Sequence, residues 1–219
     1  MLKIDILTLF PKMFDGVVNQ SILWRAQDKG FVEIKAHDLR QFGIDSRKTV
    51  DDRPYGGGSG MLLRVDVIDN ALKSLFTVDS SRLTVLLDAT GEKFTQKKAY
   101  EYSKLDQLIL IAGHYEGVDH RVHEHLVDEV ISIGDYVLTG GEIPAMVVTD
   151  AVTRLVPGVI KPESLLEESF SISNLRSQIS AEYPQYTRPE NYNGWKVPEI
   201  LLSGHHAKID KWRKQDVGG

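Results

Sequence analysis

Short apolar runs alternate along the first two thirds of the chain with segments whose apolar residues recur at helical spacing. The runs are typical of buried strands, and the spaced segments are typical of helices that pack one face on a sheet. Because strands that alternate with helices build a largely parallel sheet covered on both faces, the pattern predicts an α/β fold. The predicted strands span residues 2–9, 31–36, 83–87, 107–112 and 127–133, and the predicted helices span residues 11–29, 65–76, 95–105, 118–126 and 143–155.

The regular alternation stops at residues 156–162, which contain two prolines and a glycine. Residues 161–173 are acidic and rich in serine, so they cannot bury enough apolar surface to order themselves and are predicted to form a flexible linker. Residues 174–219 are too few to hold a large core of their own, and residues 203–214 within them have a helical pattern. The sequence therefore predicts a main domain of residues 1–160, a linker, and a small helical C-terminal domain.

The composition narrows the class of protein. The chain has no cysteine, which excludes disulfides, thiolate metal sites and a cysteine nucleophile. No signal peptide pattern is present at the N-terminus, and no apolar run approaches the roughly 20 residues of a membrane span, so we expect a cytoplasmic protein. The net charge of −5 argues against a uniformly basic coat for nucleic acid, although basic residues outnumber acidic ones by two from residue 171 onward and permit a local basic face there.

Two glycine-bearing segments follow two of the predicted strands. Since the carboxyl ends of neighbouring parallel strands meet at one edge of a sheet, such segments build a pocket there, and glycine lets the backbone approach a ligand closely. We therefore predict a pocket for a small organic cofactor. The segments are Gly113-His-Tyr-Glu-Gly117 and Ser132-Ile-Gly-Asp-Tyr-Val-Leu-Thr-Gly-Gly-Glu142.

A third glycine segment, residues 51–60, does not fit the usual nucleotide motifs. It lacks the Gly-Lys-Ser/Thr of a phosphate-binding loop and the tight strand-to-helix setting of a dinucleotide fingerprint. Two interpretations stay open: a flexible surface loop, or a mobile grip on a flat substrate made with Arg53 and Tyr55. The spacing of His120, His123 and His125 does not place three ligands on one helical face, so solvated or locally bonded histidines are favoured over a metal site.

Several polar residues have simple structural explanations. Arg154 lies four residues after Asp150 on one predicted helix, where an ion pair contributes a few tenths of a kcal/mol. Glu167 and Glu168 fit a solvated linker. The remaining candidates, Tyr115, Glu116 and Asp119, are placed to cap the following helix. Spacing alone favours these structural roles over catalysis.

Long strings along the chain resemble the bacterial tRNA (guanine-37-N1)-methyltransferases, in order from Leu9 to about Arg213. The resemblance implies a SPOUT fold, a mostly parallel sheet with a deep trefoil knot around the cofactor. It further implies an obligate homodimer, S-adenosylmethionine as methyl donor, and methylation of N1 of guanosine 37 of tRNA, next to the anticodon. The strings are Leu9-Phe-Pro-x-Met-Phe14, Thr49-Val-Asp-Asp-Arg-Pro-Tyr-Gly-Gly-Gly-x-Gly-Met61, Gly113-His-Tyr-Glu-Gly-Val-Asp119, Ser132-Ile-Gly-Asp-Tyr-Val-Leu-Thr-Gly-Gly-Glu-x-Pro-Ala145, Arg154-x-x-Pro-Gly158, Tyr186-Thr-Arg-Pro-Glu190 and Leu201-Leu-Ser-Gly-x-His206.

The resemblance also implies residue roles. Arg154 would be the cationic donor near O6 of guanine, and Glu168, where the family usually has aspartate, would be the general base, with Glu167 as the competing candidate. A divalent cation such as Mg²⁺ is implied for catalysis, without a metal site of the protein's own. The implied cofactor-binding residues are Leu87, Gly91, Gly113, Tyr115, Glu116, Ile133, Gly134, Asp135, Tyr136, Val137, Leu138, Gly140 and Gly141, and the implied substrate-binding residues are Asp51, Arg53, Tyr55, Gly58, Asp119, Arg188, Ser203 and His206.

The chain departs from the family at two further points. Asp88-Ala-Thr-Gly91 replaces the more usual Ser-Pro-Gln-Gly, and relatives usually continue with helical segments beyond the position of Gly219. The resemblance implies that residues 174–219 bind tRNA, and two interpretations of this end stay open: some of the relatives' tRNA contacts are absent, or the sequence is a trimmed part of a longer chain. Two alternative functions stay open. A SPOUT methyltransferase for a different RNA position would keep the knot but need not keep residues 51–60. A non-catalytic RNA-binding module would not bind S-adenosylmethionine.

Overall fold

The computed structural model describes residues 1–76, 81–166, 170 and 183–215. The chain forms two compact units, Met1–Ile160 and Lys161–Gly219. The strands are β1 (Leu2–Thr8), β2 (Val32–Asp38), β3 (Asp51–Asp52), β4 (Leu62–Leu63), β5 (Arg82–Lys93), β6 (Gln107–Ala112), β7 (Glu129–Ser132), β8 (Asn191–Tyr192) and β9 (Trp195–Lys196). The helices are α1 (Asp15–Val18), α2 (Ser21–Asp28), α3 (Val65–Leu75), α4 (Gln96–Tyr102), α5 (His120–His125), α6 (Glu142–Thr153), α7 (Pro162–Leu166), α8 (Glu199–Leu202) and α9 (His206–Gln215), with 3-10 helices at Pro11–Phe14 and Leu39–Phe42.

The first unit is built on a five-stranded sheet in the order β2-β1-β6-β5-β7, in which every neighbouring pair is parallel. Every residue of the central strand β6 is buried, as expected for a strand covered on both faces. The predicted α/β fold with a mostly parallel sheet is therefore confirmed, while the knot implied by the resemblance stays a prediction.

Helices supply the two layers that cover the sheet. Ile109 and Ile111 of β6 belong to the buried cluster that also contains Val67, Ile68 and Leu72 of α3. Because successive residues of a strand point to opposite faces, Leu108 and Leu110 face the other side, and α6 packs on β1 and β6. The long apolar helix α6 thus connects the core directly to the loops that follow β7. No described helix has the length and apolarity that crossing a membrane requires.

The helix predicted between Pro11 and Gly30 is divided in the structure into a 3-10 helix, α1 and α2. The break lies at Ser21, whose φ of 50° places it in the left-handed region, which interrupts a right-handed helix. The side-chain amide of Gln27 donates to the carbonyl of Val18 at 2.7 Å and so gives a partner to a carbonyl at the end of α1. The apolar spacing alone did not reveal this break, because it continues through both helices.

Strand β5 is longer than the predicted strand 83–87 and contains an excursion. Leu87 and Glu92 both pair with Ile131 of β7, so residues 88–91 leave the ladder and return to the same register position. At the return point, a Cβ on Gly91 would lie 2.5 Å from the Ile131 nitrogen. Glycine is therefore required where the excursion rejoins the sheet.

The second unit consists of short elements. Helix α7 begins at Pro162, a residue suited to the first helical position, and occupies part of the predicted linker; residues 167–169 and 171–173 of that linker lie outside the described residues. Strands β8 and β9 form a hairpin whose turn residues, Asn193 and Gly194, both have positive φ, as a two-residue hairpin loop requires. Helix α9 covers most of the range 203–214 in which a helix was predicted.

Candidate functional site

A cavity of about 290 Å³ opens at the carboxyl ends of β5, β6 and β7. Its size is near the lower end of the range of pockets for small organic ligands, about 300–1,000 Å³. Its wall comes from the excursion in β5, the loop after β6, and the loop that connects β7 to α6. The lining residues are Leu86, Leu87, Asp88, Ala89, Gly113, His114, Tyr115, Glu116, Gly117, Val118, Ile131, Ser132, Ile133, Gly134, Tyr136, Val137, Leu138, Thr139, Gly140, Gly141 and Pro144.

The loops after β6 and β7 are joined by backbone contacts. The amide of Gly141 donates to the carbonyl of Gly113 at 2.7 Å. A Cβ on Gly141 would lie 2.7 Å from the Ala112 Cα and 2.7 Å from the Gly113 nitrogen, so only glycine allows this approach. The two predicted glycine segments therefore lie together, as sheet topology indicates.

The segment from Ser132 to Leu138 is held by its own hydrogen bonds. The Ser132 hydroxyl donates to the Gly134 carbonyl at 3.0 Å, and the Tyr136 hydroxyl donates to the Ile133 carbonyl at 3.2 Å. Val137 is nevertheless 89% exposed. An apolar side chain presented to solvent at the cavity rim provides area that a ligand or a partner would cover.

Behind the cavity, a buried carboxylate contacts a histidine that the sequence reasoning did not single out. Glu142 is 2% exposed and accepts a hydrogen bond from the Thr8 hydroxyl at 2.8 Å. Its other oxygen lies 3.5 Å from Nδ1 of His114, whose ring packs between Phe10 and Tyr115 at centroid distances of 4.8 and 5.2 Å. His114 lies within the Gly113–Gly117 string, and that string is the signal that would have identified it.

The segment of residues 51–60 is anchored beside the cavity by the hairpin of β3 and β4. The Leu63 amide donates to the Gly117 carbonyl at 3.0 Å, and the Glu116 amide donates to the Met61 carbonyl at 3.1 Å. The pKa of Tyr115 is raised, first by burial and then by the nearby charge of Asp51. The hairpin thus brings Asp51 to the edge of the predicted cofactor pocket.

The other substrate candidates of the first unit lie on or near this hairpin. Tyr55 is fully exposed, Arg53 is exposed, and Gly58 has a φ of 136° within the loop. Asp119 caps α5, because its carboxylate accepts the Arg121 amide at 3.0 Å and the Arg121 Nε at 2.9 Å. For Asp119 the structure therefore shows the helix-capping role that spacing favoured.

Most of the implied cofactor residues belong to the cavity wall, whereas two lie outside it. Gly91 packs against the backbone of Val130 and Ile131, and the side chain of Asp135 is 81% exposed and pairs with Lys93. Those that line the cavity are Leu87, Gly113, Tyr115, Glu116, Ile133, Gly134, Tyr136, Val137, Leu138, Gly140 and Gly141.

Of the two implied catalytic residues, Arg154 lies within the described part of the chain. Arg154 follows the last residue of α6, whereas Pro144, near the start of α6, lines the cavity. Ten residues of helix separate the two positions by about 15 Å. Glu168 and its competitor Glu167 lie outside the described residues.

The substrate candidates of the second unit lie near its short helices. The Ser203 hydroxyl donates to the Ile200 carbonyl at 2.7 Å and accepts from the His205 amide at 3.2 Å, which closes α8. His206 begins α9, and Arg188 is exposed before β8. These contacts give Ser203 a local structural role in addition to the implied one.

The described histidines and carboxylates form no group of three that would hold a metal ion. His120 instead stacks on His123 with centroids 5.1 Å apart, and the Nε2 of His123 lies 3.5 Å from an Asp88 oxygen. Asp88 lines the cavity and lies in the excursion of β5.

Comparison with known proteins identifies the family. The family profile described as tRNA (Guanine-1)-methyltransferase TrmD matches residues 2–218. A tRNA (guanine-N(1)-)-methyltransferase of Dictyoglomus turgidum is 56% identical over 218 residues, which cover 99% of this chain and 85% of that protein. The protein of the same name from Carboxydothermus hydrogenoformans is 54% identical over 215 residues, which cover 98% of this chain and 82% of that protein. On this evidence, the chain belongs to the tRNA (guanine-1)-methyltransferase TrmD family.

Proposed function

We propose that this protein transfers a methyl group from S-adenosylmethionine to N1 of guanosine 37 in tRNA. The observation that carries the proposal is the cavity at the carboxyl ends of β5, β6 and β7, in a chain of the tRNA (guanine-1)-methyltransferase family. The residues fit a small nucleoside-containing ligand. Gly140 and Gly141 allow the loops after β6 and β7 to meet where a side chain would clash with the protein itself, and residues from Ile133 to Leu138 form one wall.

The chemistry asked of the protein is mostly positioning. Bound S-adenosylmethionine would supply an electrophilic methyl group on its sulfonium. In the proposed reaction, N1 of guanine would gain that methyl group and lose its proton to a carboxylate of the protein, and the electrons of the broken carbon–sulfur bond would stay with the leaving thioether. Glu168 is the proposed carboxylate, and Arg154 the proposed donor to the charge that builds on O6.

We further propose a homodimer in which two subunits complete each site. Arg154 lies about 15 Å along α6 from Pro144, the residue of that helix that lines the cavity. Four apolar side chains on α6 and on the neighbouring 3-10 helix and α1 are exposed: Ile143, Val147, Met13 and Val17. A two-fold interface over these residues would cover them and bring Arg154 to the partner's cavity.

Two further parts of the proposal depend on the resemblance and the composition. A divalent cation is expected to be needed for transfer, and a chelator titration of the transfer rate checks this. The cytoplasm is the proposed compartment, supported by a tRNA substrate and the absence of cysteine, and cell fractionation checks it.

The deciding experiment measures methyl incorporation into a tRNA transcript with guanosine at position 37. The same transcript with adenosine at this position is the matched control. Incorporation into the first transcript alone supports the proposal. Equal incorporation into both would place the modification at another position, and failure of the protein to bind S-adenosylmethionine in calorimetry would contradict a methyltransferase role.

A further inference from the structure

Asp88 presents a fixed carboxylate to the cavity. One of its oxygens accepts the Thr90 amide at 2.9 Å and the Thr90 hydroxyl at 2.8 Å, while the other lies 3.5 Å from Nε2 of His123. The side chain is 26% exposed and belongs to the cavity wall. Burial, the largest influence, would raise the pKa of Asp88, but the bonds from Thr90 and the nearby His123 outweigh it and lower that pKa below its ordinary value. Asp88 is therefore ionised at neutral pH.

The environment of His123 explains how the second carboxylate oxygen is oriented. The Nδ1 atom of His123 is buried and has no hydrogen-bond partner among the described residues. Since an unsatisfied buried N–H costs more than an unsatisfied acceptor, the tautomer with its proton on Nε2 is favoured. That proton points to Asp88, so α5 holds the carboxylate in place from behind the cavity wall.

The described wall of the cavity has acidic but no basic lysine or arginine side chains. Among the described residues that line the cavity, Asp88 and Glu116 are carboxylates, and there is no lysine or arginine. S-adenosylmethionine has a net positive charge at neutral pH because of its sulfonium. The demethylated product, S-adenosylhomocysteine, keeps the same adenosine and amino acid ends but has a neutral sulfur. A wall of this sign would therefore distinguish the two by charge alone.

We infer that Asp88 is a specificity-determining residue that favours the cationic methyl donor over its neutral product, and so limits product inhibition in this protein. The inference rests on the proposed function, because it takes the cavity as the donor site. It goes beyond the proposed function in assigning to the excursion of β5 a role in release of the spent donor.

The test compares the dissociation constants of S-adenosylmethionine and S-adenosylhomocysteine by calorimetry in the whole protein. Asp88→Asn keeps an oxygen that can accept from Thr90 but removes the charge. We expect S-adenosylmethionine to bind about tenfold more weakly, equivalent to about 1.4 kcal/mol, and S-adenosylhomocysteine to change by less than about threefold. Asp88→Ser should show the same loss of discrimination. The product inhibition constant in the methylation assay should fall relative to the Michaelis constant of the donor in both variants.

A matched control removes the same charge elsewhere. Asp69 pairs with Lys73 on the exposed side of α3 at 2.5 Å, and Asp69→Asn should leave both affinities unchanged. Retained product binding shows that a variant is folded. If Asp88→Asn weakens both ligands by the same factor, Asp88 contacts a group that they share and the inference is wrong, while the proposed function stands. If the unaltered protein binds neither ligand, both the inference and the proposed function are overturned.

Discussion

At the scale of single residues, glycines decide how closely the cavity loops approach each other. Around Gly141, the space for a Cβ is already occupied by the backbone of Ala112 and Gly113, whereas at Gly140 it is occupied by the side chains of His114 and Glu142. Backbone atoms cannot move without displacing β6, but side-chain ends can rotate. The two neighbouring glycines therefore differ in how strictly each is required.

Gly141→Ala is expected to destabilise the protein by about 1–3 kcal/mol, as overpacking of a close contact does. It should also abolish binding of S-adenosylmethionine, because the bond from Gly141 to Gly113 joins two walls of the cavity. Thermal unfolding and calorimetry measure the two effects. Gly16→Ala is the control, since no atom lies within 4 Å of its added Cβ. Unchanged donor binding by Gly141→Ala would show that the cavity does not depend on this contact.

Asp5 is a buried carboxylate whose contribution to stability should depend on pH. Its oxygens accept from Nε2 of His37 at 2.7 Å and from the Gln107 amide at 2.8 Å. Burial, the largest influence, would raise the pKa of Asp5, but these bonds and the charges of His37 and Lys35 lower it below its ordinary value. A depressed carboxyl pKa gives stability that is present above the unfolded pKa and is lost as the pH falls through the folded pKa.

Asp5→Asn should therefore lower the free energy of unfolding by about 1–3 kcal/mol at pH 7, since hydrogen bonds to a charged group are lost. The difference from the unaltered protein should begin to shrink as the pH falls below about 4, the ordinary carboxyl pKa, and should be lost as the pH falls through the lowered pKa of folded Asp5. Urea unfolding at both pH values measures this. Asp28→Asn, on the exposed end of α2, should change stability by less than about 0.5 kcal/mol. A difference that stays constant with pH would contradict a charged Asp5 in the folded state.

Glutamine substitutions test whether Glu168 is the general base. Glu168→Gln keeps the size of the side chain and its hydrogen bonding but removes its basicity, so single-turnover methyl transfer should fall by roughly 10²-fold or more. Affinity for S-adenosylmethionine should hardly change, because only the proton acceptor is lost. Glu167→Gln is the matched control and should have a much smaller effect, and Glu168→Asp should retain most activity. The opposite order of the two glutamine variants would identify Glu167 as the base.

At the scale of elements, the apolar pattern was enough to predict a helix or a strand wherever the segment is buried on one or both faces. Strand β6 was predicted with its observed bounds because its residues form an unbroken apolar run after Gln107. Thr95, where the predicted helix 95–105 begins, caps α4 by accepting the Lys98 amide at 3.4 Å. The pattern did not reveal the break at Ser21, which depends on one backbone angle. Nor did it reveal that β5 continues to Lys93, since that depends on pairing with β7, distant in sequence.

The same distinction applies to the candidate site. Loops that follow parallel strands meet at one edge whatever their sequence, so the Gly113 and Gly140 segments were predicted to lie together. The contact of His114 with Glu142 and that of His123 with Asp88 join residues from different elements. No local spacing carries that information. Their partners became visible only once the sheet order was known.

At the scale of the whole molecule, the cavity and Arg154 lie at opposite ends of α6. Its first turn lies at the cavity, and Arg154 lies just beyond its last turn. In the proposed dimer, Arg154 of one subunit would serve the cavity of the other copy of the chain. This makes the quaternary structure a condition for activity in the proposed mechanism.

Mixing Arg154→Ala protein with Glu168→Ala protein should restore part of the activity, although each is inactive alone. The restoration is expected because a mixed dimer contains one site with both residues intact, if the two meet across the interface. Transfer to tRNA is measured before and after subunit exchange, with each variant mixed with itself as the control. Full activity of a species that sediments as a monomer at micromolar concentration would contradict the dimer.

The excursion of β5 allows side chains that line the cavity to change while the strand pairing of the sheet stays the same. Because Leu87 and Glu92 pair with the same residue of β7, the pairing of the two strands does not depend on how many residues lie between them. Substitutions, and even insertions, at residues 88–90 would leave the register of the sheet intact as long as Gly91 rejoins it. The cavity wall can thus diverge among related chains within β5 itself, because the strand pairing imposes no count on residues 88–90.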